Sequence, residues 1–261
     1  MKKLACVSAV VLTVGTLLFA QSAEDIAKRV HDVPEGKTGT CTAVLTLTDK
    51  SGKSRTREIA SYSMKDGTID KSVLVFRTPK DVAGVSYLSF EYPDKSDGTA
   101  TDSDSWLYLP AMKKVRRVSG SSKDDDFQGT DFTYDDLGTR SLAKDTFALL
   151  GEEKVGDTDC WILEYTAKDA KAKVKRRVLW ISKENYIPYK GEYYDKQNKL
   201  QKTLMCENIQ QIDGYWTTLK MTMKNVQTNH QTMYELHDVS YDKPVDANYF
   251  TVSALERELV K

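Results

Sequence analysis

Residues with chemical reach crowd into one stretch of this chain, Trp106 to Asp136. It holds the basic run Lys113, Lys114, Arg116 and Arg117, then six carboxylates, Asp124, Asp125, Asp126, Asp131, Asp135 and Asp136. Phe127, Phe132 and Tyr134 are interleaved with those acids. Such a density of aspartates invites a calcium reading, but the loop pattern closed by a glutamate is missing. No G-x-S-x-G elbow offers a serine nucleophile. His31, His230 and His237 are scattered, and no pair has ligand spacing backed by a third donor. We therefore expect no metal, no cofactor and no catalytic residue. These residue types in this pattern suit a protein that binds or carries, not an enzyme.

The elements that must hold this stretch are read from the rest of the chain. The sequence has 261 residues, enough for one large β domain. Lys+Arg and Asp+Glu both number 38, so no global charge points to nucleic acid, and none is expected as a partner. The first twenty residues read as a signal peptide: Lys2 and Lys3, an apolar run from Leu4 to Phe19, then small residues around Ala20. An uncleaved anchor is the alternative, although the run is shorter than the ~20 residues a span needs. Residues 21–261 are then expected to form a single exported domain.

The mature chain opens on a helix. Ser22 stands as its cap, and Ala23, Ile26, Ala27 and Val30 recur on one face. From Thr38 the period changes to two. Cys41, Ala43, Leu45 and Leu47 share a face against Thr42, Val44, Thr46 and Thr48. Strands follow over 55–64, 72–76, 82–92, 106–109 and 113–118. Beyond the central stretch they resume over 146–154, 159–166, 173–182, 186–195, 199–210, 215–224 and 231–241. Turn residues separate them, as in a meander that curls into a barrel or half-barrel. The segment 246–259 has helix-like composition and is expected to cover one end.

Several strands are apolar on both faces. Leu88 and Phe90 fall on one side of their strand, Val85 and Tyr87 on the other. Two apolar faces need two covers, or one of them is a binding surface. Few helices are visible to do the covering. A core filled by side chains and an apolar cavity both remain open on this reading. Phe132 and Tyr134, two residues apart, are expected to point to one side, with Gly129 turning the backbone. The run Asp124 to Asp126 is read either as a solvated loop or as a latch onto Lys113, Lys114, Arg116 and Arg117.

Three runs carry a resemblance: Ser105-Trp106-Leu107-Tyr108-Leu109-Pro110, Lys114-Val115-Arg116-Arg117-Val118, and Phe127 through Leu137. With Phe76 to Gly84, Trp180 to Asp195 and Val239 to Phe250, they make the chain similar to the outer-membrane lipoprotein-sorting protein family, the LolA/LolB-like superfamily. The resemblance implies a mainly β fold with few helices, a curved antiparallel sheet forming an unclosed half-barrel with a helical lid. It also implies a periplasmic carrier of lipid or lipoprotein acyl chains, serving lipoprotein sorting or lipid transport to the outer membrane. A transfer partner at the inner or outer membrane, and association with the outer membrane, go with that reading. Alternatives are an envelope-stress lipid sensor with the same half-barrel, or an exported hydrolase. The residues expected to line the cavity or its lid are Leu45, Leu47, Leu88, Phe90, Trp106, Tyr108, Phe127, Phe132 and Tyr134.

Cys41, Cys160 and Cys206 remain after the first twenty residues, each inside an apolar strand-like run. Packing thiols are expected there rather than a disulfide framework. Alkylation of the native protein should be slow at all three and fast after denaturation. Rapid labelling of all three in the folded state would contradict this.

Overall fold

The structure, a computed structural model, describes residues 21–260, so the signal segment 1–20 lies outside the described residues. The chain starts in α1 (Ala23–His31), capped by Ser22, whose hydroxyl accepts the Asp25 N–H at 3.0 Å. Glu24 and Asp25 sit in its first turn and Lys28, Arg29 and His31 in its last, the arrangement that the helix dipole favours.

Thirteen strands follow. They are β1 (Thr38–Thr48), β2 (Ser54–Asp66), β3 (Ile69–Thr78), β4 (Ser86–Glu91), β5 (Asp104–Leu109) and β6 (Lys114–Val118). Then come β7 (Asp145–Val155), β8 (Thr158–Ala167), β9 (Val174–Ser182), β10 (Pro188–Asp195), β11 (Leu200–Ile212), β12 (Tyr215–Asn225) and β13 (His230–Tyr241). All belong to one antiparallel sheet ordered β6-β5-β4-β3-β2-β1-β13-β12-β11-β10-β9-β8-β7. The edges β6 and β7 do not pair, so the sheet is an unclosed half-barrel. A short helix, α2 (Val252–Glu256), ends the chain.

Register tells which side chains share a face. Leu45 lies opposite Tyr234 of β13 and Arg57 of β2, and Ala43 opposite Ile59. Met221 lies opposite Tyr234, and Leu204 opposite Met223. Following these pairs outward, the same face carries Phe76, Tyr87 and Leu107 on one side and Leu179, Leu163 and Tyr165 on the other. We call this the inner face. Helix α1 lies on it, packing Ile26 and Ala27 against Leu163, Tyr165 and Ile181. The apolar stripe read from the sequence is the face that docks.

The outer face of β3 to β5 has its own cover. Phe250, Ala254, Leu255 and Val260 pack on Val73, Val75, Leu88 and Tyr108. The C-terminal segment thus lies flat on a sheet face, whereas composition alone suggested it would close an end. The two-sided apolar pattern of β4 is explained: Leu88 joins this outer cluster, and Val85 and Tyr87 join the inner one.

Two strands begin later than periodicity suggests. Residues 82–85 form a turn, with Val85 N–H bonded to Val82 O at 3.0 Å, and β4 starts at Ser86. Gly84 makes that turn at φ +81, where a Cβ would sit 3.0 Å from Pro110 Cγ. Tyr186 has φ 59 and belongs to the turn before β10. Apolar residues in both turns copy a strand pattern because they too are partly covered. Among the cysteines, Cys160 and Cys206 are buried and Cys41 is half-buried. Burial pushes the Cys41 thiol up to about 11 and the Cys206 thiol up to about 12.

The inner cluster of β1 to β6 closes around one ring. Phe127 is 1% exposed, with its centroid 5.7 Å from Phe76, 5.8 Å from Tyr87 and 5.3 Å from Tyr134. Phe127→Ala should cost ~3–5 kcal/mol of unfolding free energy, the range for a truncated core aromatic. Urea titration checks it, and a cost below ~1 kcal/mol would show that the ring is not a core residue.

Candidate functional site

The edges of the sheet are consecutive in the chain, so residues 119–144 must travel from β6 to β7 across the inner face. They do so as a strap of short 3-10 turns, without joining the sheet. Its middle is a self-bonded loop. Phe127 N–H donates to Phe132 O at 2.7 Å, Tyr134 N–H to Asp125 O at 3.2 Å, and Asp126 and Thr133 form a single bridge. Gln128 and Gly129 both have positive φ, 50 and 76, which folds the loop back on itself. Gly129 is thus where the sequence asked for a sharp turn.

Phe127 and Tyr134 fill the inner face over β1 to β6. Phe132 lies over the other half, with Tyr193, Leu204, Cys206 and Met223, its centroid 6.0 Å from Tyr234. Phe132 and Tyr134 therefore diverge over the two halves of the sheet, because the strap is not extended between them. Leu45 and Leu47 lie beneath the strap in the same cluster as Phe127. Leu88, Phe90, Trp106 and Tyr108 lie on the outer face, around the C-terminal segment. One pocket lined by all nine residues is not what the sheet provides: Leu45, Leu47, Phe127, Phe132 and Tyr134 belong to one face, and the other four to its reverse. Period-two alternation puts neighbours on opposite faces but does not say which face is inside.

Polar groups fasten the strap. Asp131 is 4% exposed; its carboxylate takes the Thr232 hydroxyl at 2.8 Å and meets His230 Nδ1 at 2.7 Å. Buried Lys202 donates to Asp131 O at 2.6 Å and to the Asp126 carboxylate at 3.0 Å. Lys173 Nζ meets Asp125 at 2.6 Å, and its N–H donates to Asp124 at 3.2 Å. The acidic run is thus a latch, but onto β11 and the start of β9 rather than onto Lys113, Lys114, Arg116 and Arg117. The crossing path explains this: by residue 124 the chain has left β6. Arg57 donates to Gln128 O. Arg140 holds the exit, bidentate to Asp145 at 2.6 and 3.0 Å and bonded to Asp135 at 2.6 Å. Burial pushes the Asp135 carboxyl up, but Arg140 beside it, with Lys144 and Arg177, holds it below the usual range. Lys202 and His230 carry no signal in sequence spacing, since their partners are distant in the chain; Arg140 has partners five residues away on either side, but no regular period marks that spacing.

Beside the strap's exit lies a cleft of about 620 Å³, between the end of α1, the linker 32–35, the ends of β3 and β4, and the strap. Its walls are polar and charged, including Glu35, Lys65, Asp70, Glu91, Lys123, Asp135 and Lys144. Glu91 accepts the Thr139 N–H at 2.7 Å, and the strap backbone seats so closely that a Cβ on Gly138 would overlap the carboxylate. Burial, opposed by the Thr139 bond and reinforced by Asp70, Glu35 and Asp135, raises the Glu91 carboxyl to about 7.

A family model described as "Uncharacterized protein" matches residues 68–257. A DUF1329 family protein from Desulfovibrio piger is similar in structure, with 34% identity and a TM-score of 0.82, over 89% of this chain and 97% of that one. A putative outer membrane lipoprotein-sorting protein domain from Vibrio parahaemolyticus is 31% identical with a TM-score of 0.81, over 90% and 98%. The chain belongs to the DUF1329 family. A LolA superfamily protein from Nitrosomonas europaea shares the fold at 18% identity, with a TM-score of 0.67 over 90% and 99%. A local match to a probable trehalase of Saccharomyces cerevisiae, 36% identical over 69 residues, covers 26% of this chain and 9% of that protein. This chain thus spans under a tenth of that curated relative. No helix among the described residues is long and apolar enough to cross a membrane.

Glu91 sets a pH dependence whose sign is fixed. Its folded value, about 7, exceeds the ordinary 4.5, so the folded protein holds a proton there that the unfolded chain has lost. That contribution is full below about 4.5 and disappears as pH rises through about 7. A shift of this size amounts to no more than ~3 kcal/mol. Glu91→Gln should flatten stability between those limits in urea titrations run at several pH values; an unchanged slope would refute the assignment.

Proposed function

We propose that the protein is an exported carrier of the cell envelope that holds the acyl chains of a lipid or lipoprotein between the inner face of its sheet and the strap 119–144. It acts by binding and release, without catalysis. The observation that carries this reading is the nature of the cover. The apolar inner face, from Leu47 and Phe76 to Leu204 and Met223, is closed by a loop fastened through side chains rather than by another sheet. Lifting such a loop breaks a few polar contacts and uncovers the rings of Phe127, Phe132 and Tyr134, but leaves the strand ladders intact. Each CH₂ that then replaces a strap side chain on the inner face contributes about 0.8 kcal/mol. The similarity to a putative outer membrane lipoprotein-sorting protein domain from V. parahaemolyticus supports an envelope role. Lipoprotein sorting or lipid transport to the outer membrane, with a transfer partner there or at the inner membrane, extends the same reading.

Titration with a fluorescent fatty acid tests it. Saturable binding is expected, with displacement by unlabelled fatty acid. Asp131→Ala removes the carboxylate's bonds to His230 and to the Thr232 hydroxyl, and should speed probe uptake several-fold while the protein stays folded. No binding by the wild type or by Asp131→Ala would sink the carrier reading. Binding with unchanged uptake in Asp131→Ala would place the entry elsewhere than under the strap.

A further inference from the structure

The hairpin of β5 and β6 is basic at its tip. From Ser105 to Lys123 the chain holds no carboxylate, while Lys113, Lys114, Arg116 and Arg117 stand together at the turn and along β6. All four are exposed. Arg117 pairs with Asp104, but no carboxylate among the described residues lies within ion-pair distance of Lys113, Lys114 or Arg116. The acidic run that follows in the chain is spent on Lys173 and Lys202. At the far end of the hairpin, the loop 92–103 and the start of β5 carry Asp94, Asp97, Asp102 and Asp104 against Lys95. The whole chain is neutral, so the excess is local and has a direction along the hairpin.

The acids nearest the tip do not cancel it. Asp81, in the neighbouring turn 79–84, is matched by Lys80 beside it in the chain and by the charge of Arg57. On the outer face Glu258 accepts the Tyr108 hydroxyl at 3.3 Å, with Glu256 near it and Arg257 between them in the chain. Lys114 and Arg116 project the other way. They lie opposite Leu109 and Leu107, which belong to the inner cluster. The uncompensated cations are therefore at the turn and on the inner rim of the edge strand.

The apex between these charges is apolar and firmly seated. Met112 is 59% exposed, more than any other large apolar side chain among the described residues. It ends a 3-10 turn that Pro110 begins, and Lys113 follows at φ 47. Pro110 packs on the turn at Gly84, where a Cβ would sit 3.0 Å from its Cγ. We propose that this tip docks on an anionic bilayer surface, with Met112 entering between headgroups and Lys113, Lys114 and Arg116 meeting lipid phosphates. Basic residues are drawn to such a surface, and long basic side chains reach phosphate while an apolar neighbour sits deeper. An acidic protein would meet the same charges but gives no use to an exposed methionine beside two lysines. The docking surface stands on its own charges; its use in loading or unloading rests on the carrier reading. Lys114 and Arg116 share the face that the strap covers, so docking at this rim turns that face towards lipid.

Cosedimentation with vesicles of phosphatidylglycerol and phosphatidylcholine in equal parts, against phosphatidylcholine alone, tests this. Binding to the anionic vesicles only is expected, weakening as salt is raised. Each basic residue near such a surface is worth about fivefold in affinity, so Lys113→Glu/Lys114→Glu should lower binding at least ~20-fold. Its melting transition should not move, since both side chains are exposed. Met112→Asp should weaken binding several-fold at constant salt; no change would overturn the insertion of the apex. Lys196→Glu/Lys199→Glu, in the turn before β11, makes the same change of net charge elsewhere and should keep most of the binding. Equal binding to both vesicle types, or an equal loss in the two lysine pairs, overturns the proposal. So does a wild-type protein that binds poly-L-glutamate but neither vesicle, which would make the tip a surface for acidic protein. Saturable fatty-acid binding by a protein that ignores vesicles removes the docking site and leaves the carrier reading standing. Vesicle binding without fatty-acid binding does the reverse.

Discussion

The constraint on which this structure depends is topological. The strands β6 and β7 follow each other in the chain but stand at opposite edges of a thirteen-stranded sheet. The residues between them must cross one face, and that crossing makes the face an inside. Without residues 119–144, Leu45, Leu47, Phe76, Leu107 and Tyr87 would lie open to water along a continuous apolar surface. With them, the half-barrel is covered without closing its hydrogen-bond ladder. The sheet supplies rigidity through long antiparallel ladders, and the strap supplies a cover held by a different kind of bond.

That division has an energetic meaning. A strand in the sheet is held by backbone bonds along its whole length and leaves only with large disruption. The strap is held by buried side-chain contacts at a few points: Asp131 on His230 and Thr232, Lys202 on Asp126 and the Asp131 carbonyl, Arg57 on Gln128, and Arg140 on Asp135 and Asp145. Charged contacts of this sort are worth more inside than at the surface, and each loses its value once water enters. The aromatic anchors Phe127, Phe132 and Tyr134 add apolar area that an acyl chain would match in kind.

Electrostatics concentrate where the strap leaves the sheet. Glu91 seats against the Gly138–Thr139 backbone, and Lys123 bonds Ser103 at the start of β5. Desolvation moves both towards neutrality, the carboxyl upward and the ammonium downward. The sheet end is therefore polar where the sheet middle is apolar, and the strap passes over both. α1 and the linker behind it close the third side, with Lys28, Asp32 and Glu35 at the rim.

Local pattern decided much of this protein. The Ser22 cap and the Ile26–Ala27 stripe needed only i, i+3 and i+4 spacing, and the strands needed only alternation and turn residues, because both signals arise within a few residues. The half-barrel with its few helices was legible in the order of elements and in the resemblance of Trp106 to Leu137 to a family. What only the tertiary structure decided is which face is inside and what the charges meet. Leu88 and Tyr87 are adjacent and equally apolar, yet one faces the C-terminal segment and the other the strap. Asp124 to Asp126 lie close in sequence to Lys113 and Lys114 but pair with Lys173 and Lys202, on strands that arrive later. Lys123 looks like part of a solvated run until Ser103 and the strap enclose it. Burial and long-range pairing depend on segments separated by tens of residues, and no local period encodes them.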